Sequence, residues 1–433
     1  MRFTPISIKR VISSNLVVEM KNKFSLLNYL LLLITLMFGL LGIPISSSLT
    51  REKRIMTSGI IEFLSPLHVE GNQLVDDRGN IVYLRGVVKG VCSDIVPGGN
   101  WPYEGGGEDS GWNNWNPERI RWHLRNMKNF GFNVWRCFGW NLRMWKFKDT
   151  DPNAALAVQH MIEAIEIAYQ ERLYVVVAPY GVSNQRAIEG DDRETLPIPP
   201  YIGTQQGQET ITSEQDFIDI WVDIANTLKG YPNVLFELYN EPDYPKWGNF
   251  NRTQVEADWF RVVQQTINAI REISDRPIIV QWRACLWYND WIPEPEQTAN
   301  LKWVYKWNLT GTNIVISAHL YRAYGSLGGN DGSPVPYIYE DVKARLEFLL
   351  QDVYLYYPVY IGEIGCDISK TGTGLEEEFE AFNNTLRVFS EWGISYTVFT
   401  WKSTGMFAIF ETQPWLPPLN EAGQILVNAT KQS

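Results

Sequence analysis

Two glutamates stand at the ends of apolar, strand-like runs, and no other residues in this chain are better placed for chemistry. The first is Glu241, in Val234-Leu-Phe-Glu-Leu-Tyr-Asn-Glu-Pro242. This run reads as a buried strand that stops at Asn240-Glu241-Pro242, because a residue before proline is driven out of helical geometry. The second is Glu363, in Pro358-Val-Tyr-Ile-Gly-Glu-Ile-Gly365, where glycines let the backbone turn or approach a neighbour closely. If both strands belong to one parallel barrel, both carboxyls emerge at its C-terminal face, where such barrels carry their chemistry. A facing pair of carboxyls is the equipment for cleaving a glycosidic bond. Either Glu alone would more simply cap a strand end; the repetition of the design favours chemistry. Glu237, two residues before Tyr239 and four before Glu241, faces the same side deeper inside, where a charge must be paired. It reads as structural, with Arg85 near the first strand as its expected partner.

Composition narrows the partners. A chain of 433 residues, 45% hydrophobic and 13% aromatic, can bury one large barrel core or two medium ones. Its formal charge of −11 argues against nucleic acid and anionic lipid surfaces, which reward basic patches. A neutral substrate fits better. Met20-Lys-Asn-Lys-Phe24, the apolar run from Ser25 to Ile45 and the small-residue tail to Ser48 form a basic, then apolar, then small pattern. That is the pattern of a secretory signal, and the run is also about as long as a membrane span of ~20 residues. Residues 1–48 are therefore expected to be a signal peptide or an N-terminal membrane anchor, residues 49–66 a linker, and residues 67–433 the catalytic domain. The protein is expected to be secreted or extracellular, or held at a membrane by that segment, and to be a monomer.

The domain opens with two short alternating strands about an Asp77-Arg78-Gly79-Asn80 turn, a hairpin suited to closing a barrel floor. From there strands and helices alternate. Strands are expected near 82–87, 132–138, 173–179, 234–239, 277–281, 313–319, 359–363 and 394–401. Helix signals lie between them: Asn116-Pro117 as N-cap and first-turn proline, Ser213 with Asp216 as a capping box, and apolar faces at helical spacing such as Phe217, Ile220, Trp221, Ile224 and Leu228. Eight strand-plus-helix units imply a (β/α)8 TIM barrel with an N-terminal floor hairpin; an open doubly wound sheet would alternate in the same way, and the count together with the two strand-end glutamates decides between them. The loops after strands one, three, four and five are long. They carry Trp101, Trp112, Trp115, Trp247, Trp282, Trp287 and Trp291. Indole faces match the C–H faces of sugar rings, so the set points to a cleft for a polysaccharide or oligosaccharide, with Trp115 and Trp291 as remote platforms.

Over residues 67–430 the chain resembles glycoside hydrolase family 5, the cellulase-type branch of the retaining (β/α)8 glycosidases. The resemblance rests on Leu84-Arg-Gly86, Asn133-Val-Trp-Arg136, Asn240-Glu241-Pro242, Ser317-Ala-His-Leu-Tyr321, Glu363 and Phe399-Thr-Trp401, each at an expected strand end. It implies that Glu241 is the acid/base and Glu363 the nucleophile. It also implies that Asn240 holds the sugar 2-hydroxyl, His319 lines the reacting subsite and Trp401 forms its floor. The physical expectation agrees: Arg136 and the Tyr321 hydroxyl would lower the pKa of Glu363, while Glu241 lacks a cation in its motif and can keep its proton. The chain departs from the family pattern at Val177-Ala-Pro-Tyr-Gly181, where a His is usual, and at Val88, where Asn is common. Both differences bear on the shape of the reacting subsite.

The activity implied is retaining endo-β-1,4-glucanase, with endo-β-1,4-mannanase or an exo-acting β-glycosidase as the enzymatic alternative. The rival from another class is a non-catalytic carbohydrate-binding surface protein, which would have no need of an acid/base pair beside Arg136 and Tyr321. No cofactor is expected, and no His/Cys/carboxylate spacing along the chain reads as a metal site. Cys92, Cys137, Cys285 and Cys366 all fall just past expected strands on the active face. Cys92 and Cys137 come from neighbouring strands, leaving a disulfide and free thiols equally open.

Overall fold

The structure is a computed structural model that describes residues 64–90, 116–181, 196–203, 205–245, 248–288, 298–322, 336–402, 405–411 and 418–431. The chain divides into two units, Met1–Glu62 and Phe63–Ser433, and every described residue lies in the second. The expected signal or anchor thus falls outside the described residues, among which no helix is long and apolar enough to cross a membrane.

Eight parallel strands close into a barrel: β3 (Arg85–Gly90), β4 (Val134–Trp140), β5 (Tyr174–Pro179), β6 (Val234–Glu237), β7 (Ile278–Gln281), β10 (Ile314–Tyr321), β11 (Val359–Gly365) and β12 (Ser395–Val398), with β12 pairing back onto β3, while the short β8 (Trp287–Tyr288) and β9 (Thr298–Ala299) pair with each other outside it. The reason is written in the runs themselves. β5, β6, β7, β10, β11 and β12 are buried along their whole length. Such continuous burial is what a parallel sheet covered by helices demands. At Gly86 an added Cβ would sit 1.8 Å from the Val134 carbonyl oxygen, so the close approach of β3 to β4 admits only glycine.

The helices follow their caps. In α1 (Pro117–Asn129) the Asn116 side chain accepts from the Arg119 amide, and Ile120, Leu124 and Met127 are buried toward the strands. The long helix α3 (Pro152–Gln170) comes after a short one the sequence had not signalled, α2 (Leu142–Phe147). A second short helix, α4 (Gln205–Thr210), precedes α5 (Glu214–Leu228), whose Ser213/Asp216 capping box is present in full. Helices α6 (Arg252–Arg271), α7 (Trp303–Trp307), α8 (Tyr339–Leu350), α9 (Thr373–Trp392) and α10 (Glu421–Lys431) complete the ring.

The floor hairpin is present, with its turn displaced. β1 (Leu67–Glu70) pairs with β2 (Gln73–Asp76) about Gly71-Asn72, where Gly71 has a φ of 63°. Asp77–Asn80 forms a second, separate turn, because the Asp76 carboxylate accepts from the amides of Arg78 and Asn80 and closes it locally. Beyond that turn only the Val75–Ile81 bridge remains of the expected second strand. Leu67 and Leu74 of the hairpin pack in one cluster with Leu84, Val134, Leu235, Ile279, Val315 and Tyr360, the inward residues at the strand starts. The lower barrel is therefore filled with apolar side chains, and polar ones can gather only above.

The buried indoles serve this positioning. Trp221 donates to the Leu238 carbonyl at 3.1 Å, Trp259 to that of Gln281 at 3.4 Å and Trp135 to that of Lys89 at 3.1 Å. Each pins a strand end on the active face. Trp282, expected to pave a cleft, is instead 2% exposed and packed against Tyr244 and Phe260.

Candidate active site

Above the apolar layer, alternation along β4, β6 and β10 turns Arg136, Glu237, His319 and Tyr321 inward, and these meet Asn240 and Glu241 past β6 and Glu363 on β11. Arg136 is the centre of the arrangement and is fully buried. Its Nε donates to Glu237 Oε2 at 2.8 Å and its Nη2 to Glu237 Oε1 at 2.6 Å. Nη2 also donates to Asn240 Oδ1 at 2.7 Å, and Nη1 to Glu363 Oε1 at 2.7 Å. Glu237 is thus the buried structural carboxylate that alternation implied, but its partner is Arg136. The expected partner, Arg85, lies near Ser390 and over the Tyr83 ring. Planar guanidinium geometry explains why one arginine can hold two carboxylates and an amide together.

Glu363 receives a second donor, the Tyr321 hydroxyl at 2.5 Å from Oε2. Opposite it, Glu241 Oε1 lies 2.8 Å from His319 Nδ1 and 3.7 Å from Cys285 Sγ. A register shift between Ala318 and His319 sets His319 directly beside Glu363, with His319 Nδ1 3.8 Å from Glu363 Oε2. His319 therefore spans the two acids rather than merely lining the subsite. Ligating atoms of Glu241, His319 and Glu363 all lie within 4.8 Å of one another. That is close enough to surround a cation, a grouping invisible in linear spacing because the three residues come from three different strand ends.

Electrostatics refine the picture. Burial drives the His319 pKa down to about 4, so the imidazole is neutral near neutral pH. Burial raises the Glu363 carboxyl above its ordinary value; Arg136 and the Tyr321 hydrogen bond pull it back, while Glu241 pushes it further up. The net direction is upward, opposite to the sequence expectation, which counted the partners and left out the cost of removing the carboxylate from water. Burial and the neighbouring Glu363 charge keep the Tyr321 phenol protonated. Arg136, despite burial, stays charged because Glu237 and Glu363 face it.

Of the remaining expected residues, Trp115 and Trp291 lie outside the described residues, as do Trp101, Trp112, Trp247 and Cys92. Trp401 is not a subsite floor. Its ring is 3% exposed, its Nε1 donates to His123 Nδ1 at 3.1 Å, and Phe130, Phe132 and Phe410 surround it on the helix side. The half-buried ring on the site side is Phe399, beside Tyr321 and Phe138. Phe399 opens the very motif from which Trp401 was picked; residue type alone favoured the indole. Cys137 lies inside β4 rather than past it, a free and buried thiol in the helix-side core. The sequence also passed over Gln281, whose inward position followed from alternation with Ile279.

The family model for cellulases, glycosyl hydrolase family 5, matches residues 104–405. No curated protein sequence matches the chain. Among solved structures, a β-glucanase from Saccharophagus degradans in complex with cellotetraose is 17% identical, with a TM-score of 0.60 over 86% of this chain and 94% of that one. The catalytic domain of Thermobifida fusca endoglucanase Cel5A is 18% identical, with a TM-score of 0.54 over 84% and 97%. An endocellulase from Pyrococcus horikoshii, again with cellotetraose, is 17% identical, with a TM-score of 0.59 over 85% and 99%. With the family model spanning both barrel halves and both strand-end glutamates, the chain belongs to the cellulase family of glycosyl hydrolases, family 5, and is a glycoside hydrolase.

Proposed function

We propose that this hydrolase is an endo-β-1,4-glucanase that cleaves with retention of configuration by double displacement. The observation that carries the reading is the short span between Glu241 and Glu363, whose nearest ligating oxygens lie within 4.8 Å. Retaining enzymes hold their carboxyls about 5–5.5 Å apart, whereas inverting ones leave about 6.5–9.5 Å for a water. Glu363 attacks the anomeric carbon while Glu241 protonates the departing oxygen, giving a covalent glycosyl-enzyme. Glu241, now a carboxylate, then takes a proton from the water that attacks the same carbon, and Glu363 is released.

The surrounding contacts divide the roles. Both oxygens of Glu363 already accept, one from a permanent cation and one from a phenol, so a proton placed there would cost one of those bonds. Glu241 instead faces an imidazole and a thiol, with no permanent cation among these contacts, which suits the acid partner. Because Asn240 Oδ1 accepts from Arg136, its amide NH2 is turned to donate to the sugar 2-hydroxyl, a bond that strengthens in the transition state. The cellotetraose complexes of the Saccharophagus and Pyrococcus enzymes support a β-1,4-glucan as substrate.

Proton NMR of cellopentaose hydrolysis should show the β-anomer first, and an α-anomer appearing first would remove the retaining assignment. A reducing-end assay on soluble glucans, mannans and xylans should favour the glucans with a rapid fall in viscosity. Preference for mannan, or release of single sugars without viscosity loss, would replace the endoglucanase reading.

Tyr321→Phe tests the electrostatics. The Tyr321 hydrogen bond lowers the Glu363 pKa, so its removal raises that pKa further. The ascending acid limb of kcat/KM, which follows ionisation of the nucleophile in the free enzyme, should therefore move to higher pH. An unmoved limb would mean that another group controls it.

A further inference from the structure

The acid/base carries a backbone conformation that its side-chain partners do not explain. Glu241 has a φ of 49°, in the left-handed region that a residue with a Cβ rarely adopts, and Arg283, just past the neighbouring strand β7, has a φ of 73°. One side chain joins the two. Gln281, 2% exposed at the end of β7, accepts the Glu241 amide on Oε1 at 3.1 Å. Its Nε2 donates to the carbonyls of Arg283 at 3.3 Å and Ala284 at 3.4 Å. The same loop is tied to the other side of Glu241: the Arg283 amide donates to the Pro242 carbonyl at 2.8 Å, and Asp243 accepts from the Ala284 amide at 3.2 Å while pairing with Arg283 Nε at 2.8 Å. It continues into Cys285, whose thiol reaches the Glu241 carboxyl, and Leu286, whose amide donates to the His319 carbonyl at 3.0 Å.

We infer that Gln281 is a positioning residue for acid catalysis: its amide fixes the left-handed Glu241 backbone and the Arg283–Leu286 loop as one unit, and so aims the Glu241 carboxyl at the leaving-group oxygen. The inference rests on the reading of Glu241 as the acid/base. It follows from chemistry specific to a primary amide, which alone offers both an acceptor for one backbone N–H and donors for two carbonyls at this reach. A buried polar group with all its partners met holds one geometry, and a carboxyl displaced by about 1 Å can cost about 10²-fold in rate.

The test separates aiming from stability. Gln281→Met keeps the volume and removes both kinds of bond; Gln281→Glu keeps the acceptor for the Glu241 amide. On phenyl cellobioside, whose departure needs a proton, Gln281→Met should lose about 10- to 100-fold in kcat/KM, within the range of acid catalysis. On 2,4-dinitrophenyl cellobioside, which leaves unaided, it should lose less than about 3-fold. Gln281→Glu should fall between wild type and Gln281→Met on the phenyl substrate; if Gln281→Met does not fold, this variant alone must show the leaving-group split. In a Glu241→Ala background, Gln281→Met should cause less than about a 2-fold further change. Equal losses on both substrates, or full additivity with Glu241→Ala, would overturn the inference while Glu241→Ala still shows its own leaving-group dependence. Absence of that dependence in Glu241→Ala itself would overturn the acid/base reading and this inference together.

Discussion

Replacing Arg136 with methionine should destabilise the domain by about 3–5 kcal/mol and eliminate turnover, the largest combined effect expected of any single change. Removing one partner of a buried ionic cluster leaves charges without compensation, and here two are left. Glu237 and Arg136 have no exposure at all, and Glu363 has little. Urea unfolding measures the stability term. Arg136→Lys should recover only part of it, since an ammonium cannot donate to Glu237, Asn240 and Glu363 in the planar pattern the guanidinium satisfies. Arg136→Met combined with Glu237→Met should recover most of the stability and none of the activity, because an apolar pair can replace a buried ion pair at little cost while Glu363 still lacks its cation. A single Arg136→Met variant within about 1 kcal/mol of wild type would show that the cluster does not hold the barrel mouth together.

The two carboxyls should fail in different ways. Glu363→Ala removes the atom that forms the covalent intermediate, so kcat/KM should drop on the order of 10⁴-fold or more on every substrate, activated or not. Glu241→Ala should lose about 10²–10⁴-fold on cellulose chains and phenyl glycosides, which need general acid help. On dinitrophenyl cellobioside the same variant should form its intermediate at nearly the wild-type rate and then stall, because no base activates the water. Azide should relieve the stall and yield a β-glycosyl azide identifiable by NMR. Steady-state and burst kinetics on the two aryl glycosides, with and without azide, check all of this at once. Equal losses in the two variants on the activated substrate, with no azide effect, would refute the assignment of roles.

Much of this was legible in the chain because local rules suffice for it. Continuous apolar runs alternating with capped amphipathic segments dictate parallel strands and covering helices, and Asn116-Pro117 and the Ser213/Asp216 box start their helices where expected. Counting eight such units gives the barrel, and a barrel puts Glu241 and Glu363 on one face. Period-2 alternation even placed Glu237 inside.

The partners were decided only by the tertiary structure. Arg85, the expected partner of Glu237, follows the inward Leu84 and so faces the helix layer beside Ser390, whereas Arg136, two residues after the inward Val134, points into the barrel and reaches Glu237 two strands away. Phe399 and Trp401 are two residues apart, and the course of the chain past β12 sends one ring to the mouth and the other into the helix layer, which no pattern of residue types encodes. The upward shift at Glu363 arises from burial by many distant segments, so its neighbours in sequence say nothing of it. Gln281 gains its place for the same reason. Sequence fixes which face of a strand a side chain takes, whereas the meeting of faces from different strands depends on register and twist summed around a closed sheet.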